Sequence, residues 1–112
     1  MLTGSVKVVF GETAFTVEAS WSSDLTVEYA AVGDLVLRTE DEPGARVWGF
    51  ANARLLTGGF RNEEFGRYTR YSHTGCDSCV VVWVGEEVLV LSGRDDAATE
   101  ELYKALAEKI LP

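Results

Sequence analysis

The sequence is poor in the residues that usually mark metal centres and disulfide frameworks, and it has no long apolar run. Its 112 residues include two cysteines, one histidine, two prolines and one methionine. So few cysteines are typical of a reducing compartment rather than of a secreted, disulfide-linked scaffold. The longest apolar run, Cys79 to Val84, is far shorter than the ~20 residues that a membrane helix needs. The N-terminal residues also lack a signal-peptide pattern. We therefore expect a cytoplasmic protein with no membrane span.

Positive charge is also scarce over the chain as a whole. Ten lysines and arginines face 18 aspartates and glutamates, which gives a net charge of −8. Non-specific binding to nucleic acid or to anionic membranes needs a long-range positive field, so we expect neither. The hydrophobic fraction of 46% and the length are those of one globular domain over residues 1–112. A chain of this length can bury a core without disulfides or metals.

Most of the arginines fall in one stretch, residues 44–71, which we name the arginine-aromatic stretch. Five arginines and two glutamates give it a local charge of +3, so the rest of the chain carries −11. It also holds six aromatic residues and five glycines. Arginine binds anions through a planar fork of donors and stacks on aromatic rings. The candidate residues for binding a ligand or partner are Arg46, Trp48, Arg54, Arg61, Arg67 and Arg70.

These arginines also have a purely structural interpretation. They could pair with Glu63, Glu64 or the acidic loop of residues 40–42, and such surface pairs stabilise a fold only slightly. Residues 67–73 alternate like a strand, with Thr69, Tyr71 and His73 on one face and Tyr68, Arg70 and Ser72 on the other. We expect Arg70 on the solvent side, because burying an unpaired charge is costly.

The rest of the chain predicts a mainly β protein with one C-terminal helix. Gly11-Glu12 and Gly85-Glu86 each separate two strand patterns, and a glycine at the first turn position is typical of tight hairpins. The run at residues 79–84 is apolar throughout, which indicates a strand covered on both faces. Asp95 or Asp96 can cap a helix of about 15 residues. Its apolar stripe is formed by Ala98, Leu102, Leu106 and Ile110.

Over residues 44–111, the chain resembles the bacterial PH-domain-like proteins. The resemblance lies in RVWGF, GGFRNEEFGRYTRY, the CVVVWV and EVLVL strands, and SGRDDAATEELYKALAEKIL. The matching positions are Arg46, Gly49, Gly59, Phe60, Gly66, Tyr71, Asp95 and Asp96. It implies a PH-like barrel of two near-orthogonal antiparallel sheets, capped by the C-terminal helix. It also implies an association with membrane proteins for some relatives. The phosphoinositide site of eukaryotic PH domains uses basic residues around the first hairpin. Here that hairpin has only Lys7 and an acidic turn, so we expect no phosphoinositide binding.

The only motif with metal-ligand spacing is His73-x-x-Cys76-x-x-Cys79. Imidazole and thiolates bind zinc, but a structural site needs four ligands and the chain has no other cysteine or histidine. A redox C-x-x-C pair normally opens a helix, whereas this one precedes a strand. The alternative is a loop histidine and a cysteine at the start of the strand, Cys79, that packs as a small hydrophobic side chain. We therefore expect no cofactor and no catalysis.

The function predicted from these observations is that of a non-catalytic interaction module. It would bind a protein partner or a second copy of itself, through the arginine-aromatic stretch or an exposed sheet edge. The alternative is a module that binds a small molecule or anion at the same stretch. A metal or thiol-redox site at His73, Cys76 and Cys79 is the third hypothesis.

Overall fold

Nine strands and one α-helix follow one another in the residues that the computed structural model describes. It describes residues 6–19, 24–40, 45–51, 55–73 and 76–111, with the backbone alone for residues 45–51 and 55–56. The strands are β1 (Val6–Phe10), β2 (Ala14–Ala19), β3 (Leu25–Glu28), β4 (Val32–Arg38), β5 (Ala45–Ala51), β6 (Leu55–Asn62), β7 (Gly66–His73), β8 (Cys79–Val84) and β9 (Glu87–Leu91). A single 3₁₀ turn, Tyr29–Ala31, lies between β3 and β4, and helix α1 spans Asp96–Ile110.

The strands form two sheets of unequal size. The smaller sheet is a meander in the order β1-β2-β3. The larger sheet has the order β4-β8-β9-β7-β6-β5. A mainly β fold with one C-terminal helix is therefore confirmed.

The prediction of a closed barrel built from antiparallel pairs alone is wrong in two respects. Among the described strands, no backbone ladder joins the two sheets, so they do not close into a barrel. In addition, β7 and β9 pair in parallel. After β7 the chain skips the adjacent position in the sheet and forms β8 one place further away. It then turns back as β9, which lies between β8 and β7 and therefore runs parallel to β7. Sequence patterns show which segments are strands but not the order in which they lie side by side.

The two glycine-first turns differ. Gly85 has a positive φ of 63° and Val84 pairs with Glu87, so this two-residue hairpin is confirmed. The first hairpin was predicted wrongly. Phe10 pairs with Phe15, which leaves a four-residue connection, and Gly11 is not among the glycines with positive φ. Glycine is needed at position 11 because the backbone of Ala14 lies close to it. A Cβ at this position would lie 2.9 Å from the Ala14 carbonyl oxygen.

The main core lies between the two sheets and helix α1. Its fully buried side chains include Phe15 and Val17 from β2, Val80 and Val82 from β8, and Leu106 from α1. The helix begins as predicted: Asp95 is the N-cap, and its side chain accepts a hydrogen bond from the Ala98 amide at 2.8 Å. Burial of the apolar stripe explains why this amphipathic segment is a helix in this position. We name the apolar cluster between the two sheets and α1 the inner core.

A second buried cluster lies on the opposite face of the larger sheet. It contains Phe60, Tyr68, Cys79, Val81, Val88 and Val90, with Phe65 and Trp83 packed against it. Alternate residues of β8 thus enter the two clusters, which confirms a strand covered on both faces. We name this second cluster the outer core. In the part of the chain that the structure describes, no helix has the length and apolar composition needed to cross a membrane.

Candidate functional site

Arg70 is buried rather than exposed, which corrects the prediction of a solvent-facing arginine. Its side chain lies on the same face as Tyr68 and Ser72, as the alternation of β7 predicted, but only 1% of it is accessible. Nε donates to the Tyr68 hydroxyl at 3.1 Å, and one terminal nitrogen donates to the Ser72 hydroxyl at 2.9 Å. The guanidinium also lies 5.7 Å from the rings of Phe60 and Tyr68. These hydrogen bonds and the contacts with two aromatic rings offset the free-energy cost of removing the charged guanidinium from water.

Glycines in the neighbouring strands explain how the sheet accommodates so large a side chain. Gly58 lies directly opposite Arg70 in β6, and Gly49 lies opposite Gly58 in β5. Arg70 therefore has two consecutive neighbours without side chains across the sheet. Gly58 also has a φ of 118°, a conformation that favours glycine. At least two glycines of the arginine-aromatic stretch are thus associated with the burial of Arg70.

Arg61 and Arg67 remain on the surface and lie directly opposite each other across β6 and β7. Like charges in this arrangement repel each other. Neither arginine is in an ion pair within the described residues. For Arg46 and Trp48 the structure gives their place in β5, and Arg54 lies outside the described residues. The six predicted binding residues therefore do not form one exposed arginine surface, because Arg70 is buried.

An ion pair that the sequence did not suggest joins the turn between β6 and β7 to β4. The Arg38 guanidinium donates two hydrogen bonds to the Glu64 carboxylate and lies 5.1 Å from the Phe65 ring. The bond to Glu64 raises the pKa of Arg38, and the bond to Arg38 lowers the pKa of Glu64. Phe65 contacts Trp83 edge-on at 6.0 Å. The turn between β6 and β7 therefore lies over the outer core, against β4 and β8.

His73 and the two cysteines are not arranged as a metal site. Within the described residues, no group of three or more histidine, cysteine, aspartate or glutamate side chains could hold a metal ion. The two ring nitrogens of His73 contact the Ser92 carbonyl at 3.3 Å and the Val6 amide at 3.4 Å. Cys79 is buried in the outer core. Cys76 lies near the N-terminus of α1, where its thiol is within 3.8 Å of three carbonyl oxygens.

These surroundings give Cys76 a structural role. Carbonyl oxygens accept hydrogen bonds, which suits a thiol that donates its proton. The Thr99 hydroxyl lies 3.7 Å from the same sulfur and accepts a hydrogen bond from the Gly93 amide. Asp96 contributes further by accepting hydrogen bonds from the amides of Asp77 and Ser78 and from the Ser78 hydroxyl. A metal or thiol-redox site was only the third hypothesis for this spacing, and the contacts found here fix residues 76–78 to the start of α1.

An apolar groove lies between the two sheets, lined by described residues of both. Its volume is about 430 Å³. One side is the edge of β3, from Leu25 to Glu28, and the floor is the inner-core face of β7, β8 and β9. Tyr71 and Leu89 are among the floor residues, and the charged residues of the lining are Glu28 and Glu87. We name this feature the β3 groove.

The edge of β3 toward the groove has no strand partner among the described residues. The Tyr29 amide donates to the Thr13 carbonyl at 3.0 Å. This bond determines the phase of the β2-β3 ladder, that is, which alternate residues of β3 bond to β2 and which point away from it. In an antiparallel ladder with this phase, Leu25 and Val27 bond to β2, while the backbone groups of Thr26 and Glu28 point away from it. The close Thr16 and Thr26 hydroxyls, 3.0 Å apart, agree with a non-hydrogen-bonded pair at that position. The free edge therefore offers the N–H and C=O groups of Thr26 and the N–H of Glu28, whose carbonyl is used by the 3₁₀ turn that Glu28 caps.

Comparisons of the chain with protein-family models, with curated proteins and with solved structures give no match. The function therefore has to be argued from these local geometries.

The β3 groove was not predicted from the sequence. One signal was present in LTVE, residues 25–28, where apolar and polar residues alternate as in a half-buried strand. Alternation of this kind shows that one face is buried, but not whether the strand is at an edge. The groove depends on which strand ends the smaller sheet, and that follows from the topology.

Proposed function

We propose that this protein is a non-catalytic interaction module of PH-like fold that binds a protein partner through the edge of its smaller sheet. One observation carries the proposal: the unpaired edge of β3 runs along a groove with an apolar floor. Unpaired strand edges bind other chains through backbone hydrogen bonds, while adjacent pockets hold side chains. Supporting the PH-like assignment are the two β layers and the C-terminal helix of 15 residues.

His73 and Cys76 are the histidine and the nearby thiol that could act as a base and a nucleophile, and their surroundings support a non-catalytic role. General base catalysis needs a ring nitrogen within reach of a reacting proton. Both nitrogens of His73 already contact backbone groups, and the Cys76 thiol is surrounded by carbonyls and by Thr99. Two cysteines without a disulfide are consistent with the cytoplasm as the site of action.

The test is site-specific photo-crosslinking in cells. A photoreactive residue replaces Thr26 at the free edge, and a matched control replaces Glu108, which is exposed on α1. We expect one defined partner from the Thr26 position and none from Glu108. The complex must then form again from the two purified proteins, with the same crosslink. Equal labelling from both positions, or no complex from purified components, would rule out the proposal.

A second candidate function, anion binding, is favoured by the opposed pair of Arg61 and Arg67. Two guanidinium groups side by side repel each other, and an anion between them would relieve that repulsion. The test is calorimetric titration with pyrophosphate, using Arg61→Ala/Arg67→Ala against the charge-matched control Lys104→Ala/Lys109→Ala. Loss of binding in the arginine variant alone would support an anion site. Equal binding by the two variants would exclude it.

A further inference from the structure

We infer that the β3 groove binds an extended peptide segment in which apolar and basic residues alternate, as an added fourth strand of the smaller sheet. The inference rests on the proposed function and names the chemistry of the partner. It follows from three properties of the groove: the direction of its free backbone groups, its apolar floor, and the sign of its charges.

The backbone groups determine the conformation of the bound segment. Thr26 presents its N–H and C=O groups toward the groove, and Glu28 presents its N–H two residues further on, at the spacing of a strand. Only an extended chain has donors and acceptors at the matching spacing. A helix uses its own backbone groups internally and could not satisfy this edge.

The floor of the groove determines one face of the bound segment. Tyr71 and Leu89 belong to the inner core, so the floor continues an apolar surface that is otherwise covered by the smaller sheet. A strand added to β3 would lie over this surface and extend the cover. Because side chains alternate across a strand, every second residue of the segment would face the floor and should be apolar.

Charge determines the other face. The charged residues that line the groove are Glu28 and Glu87, both exposed, and the whole chain carries −8. Glu28 lies on the outward face of β3, whereas Glu87 lies at the end of the floor, on the same face of β9 as Leu89. Arg67 lies in an adjacent recess, together with Glu86 and Glu87. Lysine or arginine at the alternate positions of the segment would therefore be attracted to this edge. The same charges oppose pairing of β3 with β3 of a second copy, since that would bring acidic edges together.

The test uses a capped peptide of about six residues, the usual strand length, in which valine and lysine alternate. Two control peptides have glutamate in place of lysine, or the same residues grouped in blocks. We expect the alternating lysine peptide alone to bind, with chemical-shift changes and slowed hydrogen exchange at the amides of Thr26 and Glu28. Its affinity should fall as salt is added, because charge attraction is screened.

Two substitutions separate the contribution of the edge from that of the charges. Thr26→Pro removes an N–H that β2 does not use, and proline is tolerated at such edge positions. We expect it to weaken binding about tenfold, whereas Thr26→Val, which keeps the N–H, should bind nearly as well as the wild type. Glu28→Lys/Glu87→Lys should reverse the preference from the lysine peptide to the glutamate peptide.

Several outcomes would overturn the inference. Binding of all three peptides alike would show non-specific adhesion, and Thr26→Pro binding as tightly as Thr26→Val would exclude strand addition. Amides of Thr26 and Glu28 already protected in the free monomer would mean that the chain covers its own edge. A dimer paired at β3 would identify a second copy as the occupant. If crosslinking at Thr26 yields a partner but the lysine peptide does not bind, the proposed function stands and the inference about its chemistry fails.

Discussion

Both faces of β8 and β9 in the larger sheet are buried, but by different means. On the inner-core face, Val80, Val82 and Leu106 are wholly inaccessible and entirely apolar. On the outer-core face, Val81 and Val90 lie on the same surface as Arg70, whose guanidinium is as inaccessible as they are. Apart from Tyr71, the buried side chains of the inner core are apolar, so they need only volume and hydrophobicity to pack. The outer core also needs particular donors and acceptors in particular places, so it should respond differently to the same kind of substitution.

The largest effect is expected for Arg70→Ala. Removing this side chain leaves a cavity and also leaves the hydroxyls of Tyr68 and Ser72 without a partner that they now have. We expect a loss of about 4 kcal/mol in the free energy of unfolding, measured by urea denaturation. Arg70→Met, which restores most of the side-chain volume, should recover only part of the lost free energy of unfolding. Full recovery by methionine would show that the outer core, like the inner core, depends on volume alone.

A smaller effect is expected for Leu106→Ala in the inner core. Leu106 is fully buried where α1 packs on the sheets, and its truncation should cost about 3 kcal/mol. Here Leu106→Met should recover nearly all the stability, because a volume-conserving apolar exchange is well tolerated. The comparison between the two faces is sharpest in the methionine variants. If methionine rescues both sites or neither, the distinction between the faces is lost.

Gly93→Ala should have a smaller effect again, at the junction that places α1 over the inner core. An added Cβ would lie 2.6 Å from the Ala98 Cβ and 2.8 Å from the Thr99 amide nitrogen, so the start of the helix would have to move. We expect a loss of about 2 kcal/mol in unfolding free energy. The matched control is Gly33→Ala, where the nearest atom would be 3.8 Å away and a change within about 0.5 kcal/mol is expected. Equal effects at the two glycines would contradict this explanation.

The smallest effect concerns Asp96 and depends on pH. Hydrogen bonds from the Ser78 hydroxyl, then from the amides of Ser78 and Asp77, lower the pKa of this carboxyl below its ordinary value. A lowered pKa in the folded state stabilises the protein above the ordinary aspartate pKa, and this contribution is lost as the pH falls from there toward the lowered value. Thermal melts of wild type and Asp96→Asn should therefore differ at neutral pH and converge in acid.

The control for this measurement is Asp95→Asn. Asparagine caps helices as well as aspartate does, so the bond to the Ala98 amide should remain and the melting temperature should change little. A difference between wild type and Asp96→Asn that is constant with pH would show that the carboxylate charge has no part in fixing the loop before β8.

The features that could be predicted from sequence are those set by neighbouring residues. Helix α1 and its Asp95 cap, the Gly85 hairpin and the alternation of β7 each depend on a few consecutive side chains. Residues 79–84 were also recognised as a strand covered on both faces, because an unbroken apolar run has no polar face to expose. Local patterns carry this information whatever the rest of the fold does.

The features that could not be predicted depend on residues brought together from distant parts of the chain. Arg70 was expected in solvent because nothing in residues 67–73 shows that Gly58 lies opposite it. Thr99 was not assigned to the buried side of α1, since its burial depends on the close approach of Gly93. The β3 groove and the parallel pairing of β7 with β9 both depend on strand order. These are properties of the assembled sheet.

The position of β8 beside β4 has a consequence for how the protein folds. The two strands are neighbours in the sheet, yet the whole of β5, β6 and β7 lies between them in the chain. Hairpins such as β8-β9 close short loops, whereas pairing β8 with β4 closes a long one and costs more chain entropy. Contacts between such distant segments are typical of slow folding. The β5-β6-β7 meander can therefore form early, and the arrival of the β8-β9 hairpin between β4 and β7 is the step expected to limit the folding rate.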